Sequence, residues 1–396
     1  MPHFLALAIE RGTTVLTVAG MGYFLASLLA ARVYIRSRRA PLADFAPGVS
    51  ILKSLKGIDP GMMDAFRSHC RQDYAGDYEL LFGVSSPDDP AVPAVLQLKA
   101  EFPVRVIRLI ECPQRLGTNG KVSTLVQLAA QAHHNFLLIN DSDITVTPNY
   151  LARVMACFHP AAAKAAQPQP PVGLVTALYR GRAHLTLASR LEALGIATDF
   201  MPGVLISKML EGGLHYGLGS TLAVSREALE RAGGLLPLVD CLADDYELGA
   251  RVARAGYSIA LSPEVVVTSI PAYSWRSFVH HQLRWARTVR DARPAGYAGL
   301  IITYGLSWAL LNLIASGLSP LSLWLLALSF FLRLAQAMTV GAEVLGDHQV
   351  LPNLWLLPLR DSVALGIWVA GLAGNRIVWR GEQFVLKNGS LHKDPS

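Results

Sequence analysis

Charge is what this 396-residue sequence has least of. Lys, Arg, Asp and Glu together make up 16% of it, where a soluble globular domain carries about 25%. Hydrophobic residues reach 52%, and the mean hydropathy is +0.34. This balance excludes a single large soluble core and a charged disordered chain, and it calls for apolar segments that meet lipid. Cysteine is scarce as well. Cys70, Cys112, Cys157 and Cys241 stand alone, with no CxxC, so neither a zinc site nor a disulfide framework is indicated. They read as buried free thiols of a reducing, cytosol-facing compartment. His133, His134, His280 and His281 lack metal-type spacing. No zinc-finger spacing, RNP-like stretch or basic arm accompanies the net charge of +6, which argues against a nucleic-acid partner. The basic residues cluster instead beside apolar runs, as an anionic membrane surface favours.

Four apolar runs are present. The first, Thr13–Ile35, precedes Arg36, Arg38 and Arg39. It is too long for a signal peptide's apolar region, and it predicts a transmembrane helix with the following chain on the cytoplasmic side. The others are Leu300–Leu318, Leu321–Val340 and Leu354–Leu372. Arg333, Arg360 and Asp361 interrupt the last two, and charges at such depth face a bundle interior, water or each other. Three spans would leave the C-terminus outside, whereas Arg376, Arg380 and Lys387 favour inside, so one run is a candidate re-entrant segment. Ahead of these runs, Tyr273–Arg293 is amphipathic, with Trp275, Phe278, Val279, Gln282, Trp285 and Val289 at helical spacing. It suits either the headgroup plane or an ordinary surface helix.

Between Val49 and Ser269 the pattern changes. Short β-rich runs at Val49–Leu52, Tyr78–Val84, Val104–Leu109, Phe136–Asn140, Val172–Ala177 and Ile259–Leu261 alternate with helical stretches such as Met62–Gln72, Pro93–Glu101 and Lys121–His133. That alternation predicts an α/β domain with a mostly parallel sheet. His159–Pro171, rich in Ala and Pro, reads as a surface loop. The tail Ile377–Leu391 reads as a hairpin turning at Asn388–Gly389.

Chemistry concentrates at strand ends. The run Phe136–Asn140 leads into Asp141, Ser142 and Asp143. A strand-end Asp-x-Asp can hold a hard divalent cation through oxygen ligands and leave positions for a diphosphate. A second acidic run, Asp244, Asp245 and Glu247 with Asp240 nearby, offers a general base, or merely a favourable first helical turn. Arg284 beside Trp285 can bind phosphate oxygens while stacking keeps it ordered. Lys53, Lys56 and Gly57 follow the first strand, and Asp88 and Asp89 the second; both groups fall at the edge that carries Asp141. Gly117–Lys121 opens a helix whose N-terminus attracts anions. Gly217, Gly219 and Ser220 form a permissive loop able to approach a sugar.

Taken in order, these stretches resemble the ceramide glucosyltransferase family, glycosyltransferase family 21, and within it a bacterial hopanoid-associated branch. The residues that carry the likeness are Ser50–Pro60, Pro87–Ala91, Gly117–Lys121, Asp141–Asp143, Leu242–Tyr246 and Arg284–Trp285. The resemblance implies a membrane anchor over 1–40, a Rossmann-like GT-A nucleotide-sugar domain over 41–272, an interfacial helix over 273–295, transmembrane helices over 296–375 and a tail over 376–396. It implies an inverting transfer from a UDP-sugar to a membrane lipid, with Asp245 as base and Arg284 and Trp285 beside the leaving group. Asp141 and Asp143 would hold Mg2+ or Mn2+. Lys53, Lys56, Gly57, Asp88, Asp89, Lys121, Asp141, Gly219 and Ser220 would contact the donor. His281 departs from the Gln or Arg usual at the first place of the Arg–Trp motif. The acceptor expected is bacteriohopanetetrol receiving N-acetylglucosamine, then ceramide receiving glucose, at a bacterial inner membrane. A processive polysaccharide synthase shares these elements but generally needs more membrane helices, and a non-catalytic scaffold would not need the full set of carboxylates.

Overall fold

The computed structural model describes residues 2–38, 44–159, 170–379, 382–387 and 389–393. The loop expected at His159–Pro171 lies almost wholly outside them, as does Asn388 of the expected tail turn. The chain forms two interleaved compact units. One comprises Met1–Ser37, Gly181–Met209 and Ile270–Asn388; the other comprises Arg38–Arg180, Leu210–Ser269 and Gly389–Ser396. Gly181–Met209, inside the expected 41–272 range, falls in the first of these units.

The second unit is built on a seven-stranded sheet. Its strands are β1 (Val49–Ser54), β2 (Tyr78–Val84), β3 (Val106–Glu111), β4 (Phe136–Ile139), β5 (Val172–Arg182), β6 (Leu222–Ser225) and β7 (Ser258–Ser269). Their spatial order is β3-β2-β1-β4-β6-β5-β7. β1 runs parallel to β2 and β4, β2 runs parallel to β3, and β6 runs antiparallel to β4 and β5. β6 was not expected, since four residues leave too short a period-two signal to separate from a turn. β1 and β2 are buried on both faces, as parallel strands covered by helices must be. Pro263 is tolerated inside β7 because that strand is at the sheet edge, where a missing N–H costs no ladder bond.

In the first unit, the helices Leu5–Arg38, Leu187–Leu210, Pro320–Val344 and Val350–Gly371 are long and apolar enough to cross a membrane, and Pro294–Thr303 with Gly305–Ala315 forms a pair bent by 57°. Large apolar side chains point outward from them: Trp324 is 75% exposed, Phe331 67% and Trp355 67%. Water would penalise such faces and lipid would not. The protein is therefore membrane-associated. Leu187–Leu210 was not read as a span, because Arg190, Glu192, Asp199 and Lys208 dilute its hydropathy.

The charges inside these helices pair with one another. Arg333, 2% exposed, meets Asp361 at 2.6 Å and Asp199 at 2.5 Å, and it donates to the Thr198 carbonyl at 2.6 Å. Arg360 Nε lies 2.8 Å from Asp199 Oδ2. Gly20 and Gly305 let two helices touch at backbone distance: a Cβ on Gly20 would stand 2.3 Å from Gly305 Cα. Beside them Asn312 donates to Thr14 Oγ1 at 2.7 Å and to Thr13 Oγ1 at 3.1 Å. Small residues and amide–hydroxyl bonds of this kind join helices where no hydrophobic force acts between them.

The amphipathic stretch forms a helix, Trp275–Ala292, capped by Ser274. Its basic residues do not all face outward as a headgroup role suggested. Arg290 donates to the Gly371 carbonyl at 2.6 Å, and Arg287 to those of Ala373 (3.1 Å) and Arg376. Both satisfy orphan carbonyls at and beyond a helix C-terminus. In the tail, β8 (Arg376–Trp379) pairs antiparallel with β9 (Glu382–Lys387), a reversal additional to the one expected; β9 and a last strand, Ser390–Lys393, flank Asn388–Gly389, of which Asn388 lies outside the described residues.

Candidate active site

The carboxyl ends of β1, β2 and β4 share one sheet edge, where α/β sheets take their ligands. Two surface clefts of about 340 and 360 Å³ open instead at the amino-terminal edge, beside Phe136 and Tyr78. No titratable cluster of the expected kind lines them.

Asp141 follows β4 after Asn140, which turns inward and donates to the Ser220 carbonyl at 2.6 Å and to the Tyr150 hydroxyl at 3.1 Å. With Asn140 anchored, the Asp141 side chain emerges, 44% exposed. Asp143 points elsewhere: its Oδ2 accepts from the Thr268 hydroxyl and from Ser269 N (3.1 Å). Burial, reinforced by Asp141, pushes its carboxyl up to about 6. Ser142 donates to Asp59, which brings a further carboxylate to this edge from a loop the sequence did not single out.

Lys53 does not lie open for phosphate, as expected. It is 1% exposed at the end of β1, and its ammonium donates to the main-chain carbonyl of Asp141 at 3.0 Å. Burial lowers it to about 7 against the pull of Asp143 and Asp141. It therefore supports the Asp141–Asp143 turn from beneath. Lys56 is exposed. Gly57 N donates to both carboxylate oxygens of Asp89, at 3.0 and 3.2 Å, and Asp89 also accepts from Ala91 N at 2.9 Å. Asp89 thus joins the loops after β1 and β2, while Asp88 is exposed beside it.

The helix Gly120–Gln131 is capped by Asn119, whose Oδ1 accepts from Val122 N. Asn119 N donates to the Val239 carbonyl at 2.6 Å and Asn119 Nδ2 to that of Cys241 at 2.8 Å, while Thr118 N donates to Asp240 Oδ1 at 2.8 Å. These bonds dock the helix start beside the second acidic run and place Lys121. Its ammonium lies 2.8 Å from Asp141 Oδ1 and 3.5 Å from Asp244 Oδ2. Burial pulls Lys121 down, but Asp141, Asp244 and Asp245 outweigh it and hold it above the ordinary lysine range.

Asp244, Asp245 and Glu247 occupy the first turn of the helix Asp244–Arg254. Glu247 is engaged by Arg251 and Arg254, at 2.9 and 2.8 Å, and Asp240 by Thr118, so only Asp244 and Asp245 join the site. Burial, then Asp244, pushes Asp245 up to about 6. Gly219 packs over it: a Cβ there would stand 2.9 Å from Asp245 Oδ2. Ser220, expected to line the site, is buried, and its hydroxyl donates to the Ala177 carbonyl at 3.4 Å. The two acidic runs, about a hundred residues apart in the chain, therefore meet around one lysine. Among the described residues no three His, Cys, Asp or Glu side chains form a complete metal cage.

Arg284 and Trp285 belong to the first unit and are half-buried on the helix Trp275–Ala292. Trp285 packs against Phe200, with ring centroids 6.0 Å apart, and against His281 at 5.2 Å.

A mostly parallel sheet with carboxylates and a lysine-bearing helix N-terminus at its carboxyl edge is the architecture of a GT-A glycosyltransferase. The chain belongs to glycosyl transferase family 21, whose sequence profile it matches over residues 12–392. Similar proteins include ceramide glucosyltransferase 3 of Caenorhabditis elegans, 25% identical across 87% of this chain and 73% of that protein, and ceramide glucosyltransferase 1 of the same organism, 22% identical across 87% and 72%. A solved mannosyltransferase from Pyrobaculum calidifontis, in complex with GDP-Man and Mn2+, shares the fold at a TM-score of 0.52 and 20% identity, covering 92% of this chain and 97% of that one. The protein is thus a glycosyltransferase.

Proposed function

We propose that this enzyme moves a sugar from a UDP-sugar to the hydroxyl of a membrane lipid in one inverting displacement. The meeting of Asp141, Asp244 and Asp245 around Lys121 supports this reading most directly. Asp245 takes the proton of the acceptor hydroxyl as its oxygen attacks the anomeric carbon. The bond from that carbon to the diphosphate oxygen breaks, and negative charge grows on the departing UDP. Lys121, at a helix N-terminus, meets that charge, and the family resemblance gives Arg284 and Trp285 a role beside the leaving group. Lys56, Gly57 and Asp88 border the nucleotide, while Lys53 and Asp89 hold the loops that carry them.

Asp141, whose side chain emerges at the carboxyl edge, and Asp143, two residues on, are the carboxylates that would hold the metal. One or two carboxylates completed by phosphate oxygens suit Mg2+ or Mn2+. Bound there, such an ion neutralises charge on the leaving diphosphate.

For the acceptor, the hopanoid-like sequence pattern favours bacteriohopanetetrol with N-acetylglucosamine, and the relatives' names favour ceramide with glucose. Catalysis takes place on the cytoplasmic face of a bacterial inner membrane, where UDP-sugars are made. Purified protein is incubated with UDP-glucose or UDP-N-acetylglucosamine against each lipid, and the extracts are read by mass spectrometry. One added sugar, β-linked by NMR, is expected for one pairing. A ladder of products would indicate a processive synthase, and no glycolipid from any pairing would overturn the lipid-acceptor reading.

A further inference from the structure

Glu192 is a carboxylate on the helix Leu187–Gly195, and it is 2% exposed. A buried carboxylate is costly unless every lone pair is answered. Its Oε2 faces His281 Nδ1 at 3.0 Å and Gln282 Nε2 at 3.4 Å, both on the helix that carries Arg284 and Trp285. The His281 ring is held on two further sides. It stacks on Tyr273, with centroids 5.5 Å apart and planes inclined by 28°, and it meets Trp285 at 5.2 Å. Trp285 also packs against Phe200, on the same continuous helical segment as Glu192. That segment therefore reaches Trp285 twice, once through Phe200 and once through Glu192 by way of His281.

We propose that Glu192 is a positioning residue for the Arg284–Trp285 pair, acting by fixing the His281 ring against which the indole packs. This rests on the reading of Arg284 and Trp285 as groups of the active site. An imidazole has two ring nitrogens and two flip states, and stacking alone does not choose between them. A carboxylate on Nδ1 does, because only Nδ1–H can then donate to it. Gln282 extends the same contact inward by accepting from Arg360 Nη1 at 3.2 Å. The carboxylate is thereby linked to the Arg360–Asp199–Arg333 chain, which keeps Glu192 in place when His281 is changed.

The test uses the full-length protein in lipid nanodiscs, with UDP-glucose or UDP-N-acetylglucosamine and ceramide or bacteriohopanetetrol, and the variants Glu192→Gln, Glu192→Leu, His281→Ala and Glu192→Leu/His281→Ala. Each of the two truncating singles, Glu192→Leu and His281→Ala, is expected to lower kcat by about tenfold or more while the donor KM moves by about twofold or less. The double variant should be no slower than the worse single, because both remove one interaction. In 15N-histidine spectra, the resonance absent from His281→Ala should shift in Glu192→Gln, a readout independent of turnover. Losses that multiply in the double variant, or a His281 resonance unchanged in Glu192→Gln, would overturn the proposal. If Trp285→Ala retains full activity while the resonance shifts as expected, the fault lies with the role given to Arg284–Trp285, and the coupling of Glu192 to His281 stands. A Glu192→Leu protein that fails to fold leaves the Glu192→Gln spectrum and kinetics to decide.

Discussion

Lys121 Nζ stands 2.8 Å from Asp141 Oδ1, and the same ammonium reaches Asp244 at 3.5 Å. One cation thus joins an acidic turn at the end of β4 to an acidic helix start about a hundred residues later. Its charge also acts on Asp245, whose carboxyl it pulls down against burial and Asp244.

Asp245 as general base sets the acid limb of the rate profile. Its working form is the carboxylate, which is present above a pKa of about 6 and lost as pH falls through it. The second-order rate constant kcat/KM, which reports the free enzyme, should fall about tenfold per pH unit below that value. Asp245→Asn should lower kcat by about 10²–10⁴, with donor binding retained in calorimetry. Substantial residual turnover would remove Asp245 from this role.

Lys121→Met takes away a charge that lowers Asp245. The acid limb should therefore move to higher pH, and donor KM should rise. A pH–rate profile of the variant that coincides with that of the parent would show that Lys121 does not act on the base.

Gly219→Ala places a methyl 2.9 Å from Asp245 Oδ2. The carboxylate must give way, and a displaced base is expected to cut kcat by about 10–100-fold. The thermal midpoint should change little, since Gly219 lies in a loop. Steady-state kinetics beside a melting curve separate the two effects.

Arg333→Met strands Asp361 among apolar helices, while Asp199 keeps Arg360. Arg333 and Asp361 are 2% and 3% exposed, so the loss is expected to be about 3–5 kcal/mol. Denaturant titration in detergent measures it. Arg333→Met/Asp361→Leu should recover part of the loss, because no unpaired charge remains at Asp361.

Gly20→Val forces a branched side chain into a position 2.3 Å from Gly305 Cα. Overpacking of this kind costs about 1–3 kcal/mol. The melting temperature in detergent should fall, and Gly22→Val, where a Cβ meets nothing within 4 Å, is the control.

The strand–helix alternation, the parallel sheet and the acidic turn after Phe136–Ile139 were legible in the sequence because hydrophobic period and strand-end chemistry are local. The first apolar helix was legible for the same reason: no charge interrupts Thr13–Ala31, and Arg32 stands only near its end. Leu187–Leu210 was not, since its charges hide its length from a hydropathy reading and are answered only by partners far along the chain, Arg333 and Arg360 to Asp199 and His281 to Glu192. The same limit applied at the site. Residue type placed Lys53, Asp89 and Ser220 near the donor, yet a side chain's direction depends on what lies behind it. Burial turned Lys53 to the Asp141 carbonyl, the Gly57 amide claimed Asp89, and Ala177 took the Ser220 hydroxyl. The amino-acid order alone determined which groups are available and which elements carry them. Tertiary packing decided which ones face outward together, because desolvation and hydrogen-bond partners are properties of the folded neighbourhood and not of the local chain.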